Sequence, residues 1–321
     1  MNPHARTAFA VALMTLATGI GAQQPTPSEP LAPAIPAAPA APARDFSKVQ
    51  IKTTNLGHNT YMLEGDGGNI TIAVAGNGVI MVDGQFAPLH DKIKAAVAAI
   101  TKQPIRYLVN THYHGDHTGG NAGFAADGAG VIAHENVRKR LAAGTTNGLS
   151  GNKTPPAPEK SLPGKTYGKA TTLKLKGRTA QLHHIPRAHT DGDTYVFFAD
   201  ANVLATGDIV SVGARYPNID FANGGNINGM IAGVDTYLKV SNEQTKIVPG
   251  HGPLLSRPDL VEYRAMLATA RERMAKLVAE GKSEDDAIAA KPFADIDAKV
   301  GVSEQGSRNF IRVVYNSLKK K

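Results

Sequence analysis

The sequence predicts a mixed α/β fold in which two β-sheets stack face to face with helices outside. Three observations lead there. Short apolar runs separated by glycine-rich turns open the chain, a second set of such runs follows in its later half, and each set leads into segments with helical spacing. The chain is 321 residues long and 42% hydrophobic, with a formal charge of +8 and neither Cys nor Trp. That length suits about two domains or one large α/β domain. The composition excludes a disordered chain and a membrane channel, and without cysteine there are no disulfides in an oxidising compartment.

The first residues read as an export signal. Arg6 supplies charge, Thr7 to Thr18 is an uncharged apolar run, and Gly19-Ile20-Gly21-Ala22 offers small residues for cleavage. The run is too short for a permanent membrane span, so a soluble periplasmic or secreted protein without a membrane anchor is expected. Residues 23–46 form a Pro/Ala-rich linker, because repeated prolines block helix and ladder pairing. Residues 47–321 are expected to be the folded domain. Export and scattered cations argue against nucleic acid, and the positive balance points to a small-molecule substrate that is anionic.

Within the domain, Val49–Ile51, Thr60–Leu63, Ile70–Val74 and Val79–Val82 read as strands, divided by Gly65-Asp66-Gly67-Gly68 and Gly76-Asn77-Gly78. Ile93, Ala96, Val97 and Ile100 recur at helical spacing. Ile105 to Val109 is a strand, Val131 to Ala133 another, and Glu135 to Leu141 a helix. Residues 143–170 lack periodicity and read as a lid, a binding loop or a disordered insertion. Leu173–Leu175, Ala180–His184, Thr194–Phe198 and Val203–Ala205 form the second set of strands. Met230–Val240 is a helix, Lys246–Val248 a last strand, and Asp259–Ala279 and Asn309–Leu318 the final helices.

The chemistry concentrates in Asn110-Thr111-His112-Tyr113-His114-Gly115-Asp116-His117. Residues two apart in extended chain point the same way, so His112 and His114 can close on one metal ion while Asp116 and His117 serve a second. Zinc takes nitrogen and carboxylate ligands and leaves a position for water in catalytic sites. His189, Asp208 and His251 each stand at a strand edge beside or near glycine. His58, His90 and His134 read as structural, and either His183 or His184 is a minor candidate for touching substrate.

The order His-x-His-x-Asp-His, then His, Asp and Gly-His-Gly, over residues 48 to 255, resembles the metallo-β-lactamase superfamily. The resemblance implies a four-layer αβ/βα sandwich with two zinc ions per chain at one edge of the sheets. His112, His114 and His189 would take the first ion. Asp116, His117 and His251 would take the second, with Asp208 bridging or ligating that ion. Asp83 would orient a ligand by hydrogen bond, and Asp116 is expected to be catalytic. A shared water with its pKa lowered toward neutrality would then be the nucleophile.

The segments His189-Thr190-Asp191-Gly192-Asp193-Thr194 and Arg215-Tyr216-Pro217-Asn218-Ile219-Asp220 resemble the exported, β-lactamase-like branch of that superfamily, which suggests β-lactam hydrolysis, while Asp208, at a position where familiar zinc β-lactamases carry cysteine, is the pattern of lactonases and glyoxalase II. Arg215 is expected to pair with a substrate carboxylate, and Tyr216 or Asn226 to donate to an oxyanion.

Overall fold

Alternation along the strands decides the architecture of this computed structural model, which describes residues 44–319. The expected signal segment 1–22 and nearly all of the 23–46 linker lie outside the described residues. Asp45–Lys321 forms one compact unit.

Lys52–Gly57 (β1), Thr60–Glu64 (β2), Ile70–Ala75 (β3) and Gly78–Val82 (β4) form an antiparallel meander. His90–Ile100 (α1) crosses to Ile105–Asn110 (β5), which runs parallel to β4. The short helices Gly115–Thr118 (α2) and Asn121–Ala126 (α3) lead to Gly130–His134 (β6), parallel to β5. Glu135–Ala143 (α4) and a small hairpin of Thr145–Thr146 (β7) and Lys153–Thr154 (β8) follow. Lys165–Tyr167 (β9) pairs with β6 and completes a seven-stranded sheet.

The second sheet has five strands: Ala170–Leu175 (β10), Arg178–Ile185 (β11), Asp193–Phe198 (β12), Val203–Ala205 (β13) and Lys246–Val248 (β14). Ile227–Val240 (α5) makes the crossover that sets β14 parallel to β13. Arg257–Ala279 (α6), Glu284–Ala289 (α7), Ala294–Val300 (α8) and Glu304–Lys319 (α9) end the chain.

All five residues of β4 are buried, and its four apolar side chains divide between two cores by the strand period of two. Ile80 and Val82 face the second sheet, meeting a cluster that includes Leu182, Val196, Val203 and Val248. Val79 and Met81 face outward onto Ile93 and Val97 of α1 and Phe124 of α3. The outer face of the second sheet, with Tyr195, Leu204 and Ile247, packs on α5, α6 and α9 through Tyr237, Leu267 and Phe310. The layers are therefore helix, sheet, sheet, helix. No helix among the described residues is long and apolar enough to cross a membrane.

Three stretches differ from expectation. Val49–Ile51 is not a strand, because the Lys92 ammonium of α1 takes the carbonyls of Phe46, Ser47 and Val49 at 2.9, 2.6 and 2.6 Å. The true first strand begins at Lys52, and its largely exposed edge position left no apolar alternation to read. Residues 143–170 are more structured than expected: the β7–β8 hairpin turns on Asn147, whose Oδ1 accepts from the backbone N–H groups of Leu149 and Ser150 at 3.0 and 2.9 Å. The helices α7 and α8 have no counterpart in the sequence reading. The first begins at a reciprocal cap between Ser283 and Asp286.

Candidate metal centre

Each of the seven ligand-type residues hangs from a loop at the C-terminal end of a strand, or from the connection into one. Asn110, the last residue of β5, exchanges two 2.9 Å carboxamide bonds with Asn121 and so pins the ends of the intervening loop. That stretch carries His112 and His114 before α2, and Asp116 and His117 on α2 itself. His189 comes from the β11–β12 connection. Asp208 lies on a 3-10 turn after β13, and His251 follows β14.

Backbone bonds tie these loops together across the sheets. Thr194 N–H donates to Thr111 O at 2.7 Å, and Gly250 N–H to Gly207 O and Val210 O at 3.0 and 2.8 Å. The Asn69 carboxamide, from the β2–β3 turn, donates to Pro249 O and Gly252 O at 3.0 and 2.8 Å, holding the His251 loop against the first sheet.

The side chains converge as two adjoining groups, His112, His114, His189 and Asp208, and Asp116, His117 and His251, with donor atoms in each group within 4.8 Å of one another. His114 Nδ1 lies 3.1 Å from His112 Nε2 and 2.9 Å from His189 Nε2. Asp208 reaches both groups: Oδ1 is 3.2 Å from His117 Nε2, and Oδ2 is 3.5 Å from His251 Nε2 and 3.8 Å from His189 Nε2. Asp116 Oδ2 stands 3.2 Å from His251 Nε2 and 3.8 Å from His117 Nε2.

The bonds behind the cluster set its tautomers. His189 Nδ1 donates to Asn218 O at 2.8 Å, and His117 Nδ1 to Asp83 Oδ2 at 2.8 Å. The Thr111 hydroxyl donates to Asp83 at 2.8 Å, so its oxygen is left to accept from His112 Nδ1 at 3.1 Å. Each of these rings thus engages Nδ1 behind the cluster and turns Nε2 inward, the nitrogen a metal ion would take.

Two close approaches leave room for nothing larger than glycine. A Cβ on Gly250 would lie 1.9 Å from Asp208 Oδ1, and one on Gly68 would lie 2.1 Å from His117 Cε1.

The electrostatics call for a cation. Burial and the neighbouring histidines push His112 well below its ordinary value. His117 and His251 are disfavoured as cations by burial. The surrounding carboxylates outweigh this, raising His117 well above its ordinary value and His251 to about 9. Burial works against the charge of Asp208 and Asp116, yet His117 and His251 hold both carboxyls down. His117 Nε2 and Asp208 Oδ1 are buried with no hydrogen-bond partner in good geometry. Two orphaned buried atoms that can each offer a lone pair, facing each other in a nitrogen and carboxylate donor set, fit a bound metal ion.

The remaining candidates sit elsewhere. Tyr216 does not reach the cluster: its hydroxyl donates to Asp297 at 2.6 Å and its ring stacks on Phe310 with centroids 4.1 Å apart. Asn226 caps α5 through Asn228 N–H at 2.8 Å and donates to Ser317 O at 2.6 Å, so its amide is engaged in packing α9. Arg215 is exposed and lines a cavity of about 290 Å³ with Phe310 and Val313, a cavity that contains none of the clustered residues. His183 stacks on Tyr195 and His184 on His134, which leaves both as packing residues. His90 bridges Asp91 and Asp127 on the surface.

A larger cavity, about 370 Å³, opens beside His114 and is walled by Tyr113, Thr118, Asp220 and the 144–161 segment. Sequence reasoning missed Tyr113, Asn69, Asn218 and Asp220 as participants. Tyr113 carried a local signal, standing between two ligand-type histidines, and Asn218 and Asp220 lie in the Arg215–Asp220 segment that resembles the exported branch.

Fold and cluster define a class, the metal-dependent hydrolases of the metallo-beta-lactamase superfamily, whose profile matches residues 63–264; the chain belongs to that family. Among curated proteins it is 31% identical over 187 residues to a hydroxyacylglutathione hydrolase from Polaromonas sp., covering 58% of this chain and 60% of that one. It is 28% identical over 156 residues to the 2,4-dinitroanisole O-demethylase subunit alpha of Nocardioides sp., covering 47% of this chain and 44% of that one. The chain thus spans about half of the length of these relatives.

Solved structures share the fold. A metallo-beta-lactamase from Pontibacter korlensis superposes with a TM-score of 0.57 at 17% identity, over 68% of this chain and 99% of that one. The stereoselective inverting sec-alkylsulfatase Pisa1 from Pseudomonas sp. gives 0.61 at 16% identity, over 83% and 50%.

Proposed function

We propose that this member of the superfamily is an exported dizinc hydrolase that opens a cyclic amide of the β-lactam kind. The observation that carries a dinuclear reading is Asp208, which stands between the groups, with Oδ1 3.2 Å from His117 and Oδ2 3.5 Å from His251 and 3.8 Å from His189. His112, His114 and His189 would hold the first ion, and Asp116, His117 and His251 the second. Bound zinc supplies Lewis acidity, polarising a carbonyl and bringing the pKa of a water toward neutrality.

The chain's own groups do the rest. Asp83, Thr111 and Asn218 hold three imidazoles in the ligating tautomer. Asp116 turns Oδ2 toward His251 and His117, leaving Oδ1 to accept a hydrogen bond from the attacking water and orient it. The cavity beside His114 offers a neutral wall of Leu141, Pro155 and Pro156 for the body of a substrate.

A second reading, hydrolysis of a lactone or thioester, is supported by a carboxylate rather than a thiolate at position 208 and by the similarity to a hydroxyacylglutathione hydrolase. Zinc-loaded protein assayed in parallel on penicillins, cephalosporins, carbapenems, acyl lactones and glutathione thioesters separates the two. Turnover of β-lactams that vanishes in His114→Ala supports the first. Turnover of thioesters or lactones alone replaces it with the second. Export rests on the apolar run Thr7 to Thr18, and mature N-terminal sequencing after expression in a Gram-negative host checks it.

A further inference from the structure

His114 differs from its neighbours in the nitrogen it turns inward. His112, His117, His189 and His251 present Nε2 to the cluster, whereas His114 presents Nδ1. Its Nε2 points the other way, 3.0 Å from Asp220 Oδ2. A ring that donates Nε2–H to a carboxylate keeps its lone pair on Nδ1, the atom that faces His112 and His189.

The carboxylate is itself held firmly. The Tyr113 hydroxyl donates to Asp220 Oδ2, and the Asn223 carboxamide to Oδ1 at 2.8 Å. The Asp220 N–H donates to His189 O at 2.9 Å, which ties this loop to a second histidine. Two residues earlier, Asn218 O receives His189 Nδ1–H. Residues 218–220 therefore orient two of the three histidines of the first group, from a loop that contributes no ligand.

We propose that Asp220 is a positioning residue of the first metal site, fixing His114 as an Nδ1 ligand and strengthening the ring as a donor. This rests on the metal-binding reading of the cluster given above. Asp83 stands in the same relation to His117 in the second group, so each group has one histidine backed by a carboxylate and the rest backed by weaker partners or none. Both carboxylate oxygens are engaged: Asn223 reaches Oδ1 at 2.8 Å and Oδ2 at 3.0 Å, and Tyr113 shares Oδ2 with His114. The charge serves the imidazole.

The test uses the full chain, stripped of metal and titrated with Zn²⁺ against a chromophoric chelator, in wild type, Asp220→Asn, Asp83→Asn and Tyr113→Phe. Asp220→Asn should weaken one of the two binding events about ten- to a hundredfold and leave the other within about threefold. Asp83→Asn should weaken the other event, and Tyr113→Phe should preserve both. Long-range ¹H–¹⁵N spectra of the zinc-loaded wild type provide a readout that does not depend on any variant folding. They should show one histidine, lost in His114→Ala, bound through Nδ1 with a protonated Nε2. Equal weakening of both events in Asp220→Asn, or unchanged affinities, overturns the proposal, as does an Nε2-bound His114. Wild type that binds no Zn²⁺ overturns the metal reading along with it.

Discussion

Replacing Asp83 by Asn changes one atom and removes one charge at the best-buried carboxylate behind the cluster. Asp83 is 2% exposed and accepts three hydrogen bonds of 2.8 Å: Thr111 N–H at Oδ1, and the Thr111 hydroxyl and His117 Nδ1–H at Oδ2. An amide cannot meet all three donors. With its NH₂ at the Oδ2 position it faces two of them, and with its NH₂ at the Oδ1 position it faces the Thr111 amide. The backbone is not the issue, since the residue's φ of 65° suits Asn at least as well as Asp. A buried donor left facing a donor costs about 1–3 kcal/mol of folding stability. Losing a ligand's orienting partner costs about 10–100-fold in metal affinity, about 1.4–2.7 kcal/mol. Thermal melts of the stripped protein read the first quantity and chelator competition the second. Asp83→Asn protein with unchanged melting and Zn²⁺ affinity within twofold of wild type would refute the argument that this carboxylate sets the His117 tautomer.

Other consequences are equally concrete. In the metal-free protein His251 sits at about 9 against an ordinary 6.5, with His117 shifted the same way. A raised value means the associated stability is fully present below pH 6.5 and lost as pH rises through about 9. Metal-free protein should therefore melt at lower temperature as pH climbs through that window, while the stabilisation gained on adding Zn²⁺ grows, because fewer protons must be displaced. Parallel melting curves with and without chelator at several pH values check both slopes; a metal-free protein that grows more stable across the window would contradict them. Gly250→Ala places a Cβ 1.9 Å from Asp208 Oδ1 and 2.7 Å from Gly207 C, so backbone must move. Zn²⁺ binding should weaken by more than about tenfold at a stability cost of about 1–3 kcal/mol, measured by titration and melting. Tyr216→Phe and Asn226→Ala should each cost about 1–2 kcal/mol of stability and leave turnover within twofold. A tenfold fall in turnover of folded protein in either would restore that residue as an oxyanion donor.

The ligand-type residues were legible because each carries local information: spacing of two in extended chain for His112 and His114, and a strand end with nearby glycine for His189, Asp208 and His251. The two-sheet plan was legible for the same reason, since short apolar runs such as Val79 to Val82, bounded by glycine-rich turns such as Gly76-Asn77-Gly78, are written in consecutive residues. Asp220 was not, because its meaning depends on His114, 106 positions away, reached only after the sheets close. Tyr216 and Asn226 misled in the opposite way. Their place after Asp208 in the chain suggested a loop over the metals, but α8 and α9 pack beneath that loop: Ser317 O takes the Asn226 amide, Asp297 takes the Tyr216 hydroxyl, and Phe310 stacks on the Tyr216 ring. The β7–β8 hairpin was hidden because Asn147, not apolar periodicity, makes its turn.

Four of the seven ligand-type residues, His112, His114, Asp116 and His117, lie within six consecutive positions, while His189, Asp208 and His251 arrive from the other sheet. An unfolded chain therefore already carries a chelating peptide. Metal bound to that peptide is metal bound to the wrong state, so ligation raises folding stability by less than the affinity of the finished site implies. It also opens a kinetic trap, in which the quartet engages an ion before β13 and β14 can deliver their share. Refolding into excess Zn²⁺ should consequently be slower than refolding in chelator with the metal added afterwards. The order in which chain and ion meet is thus part of what determines the yield of active protein.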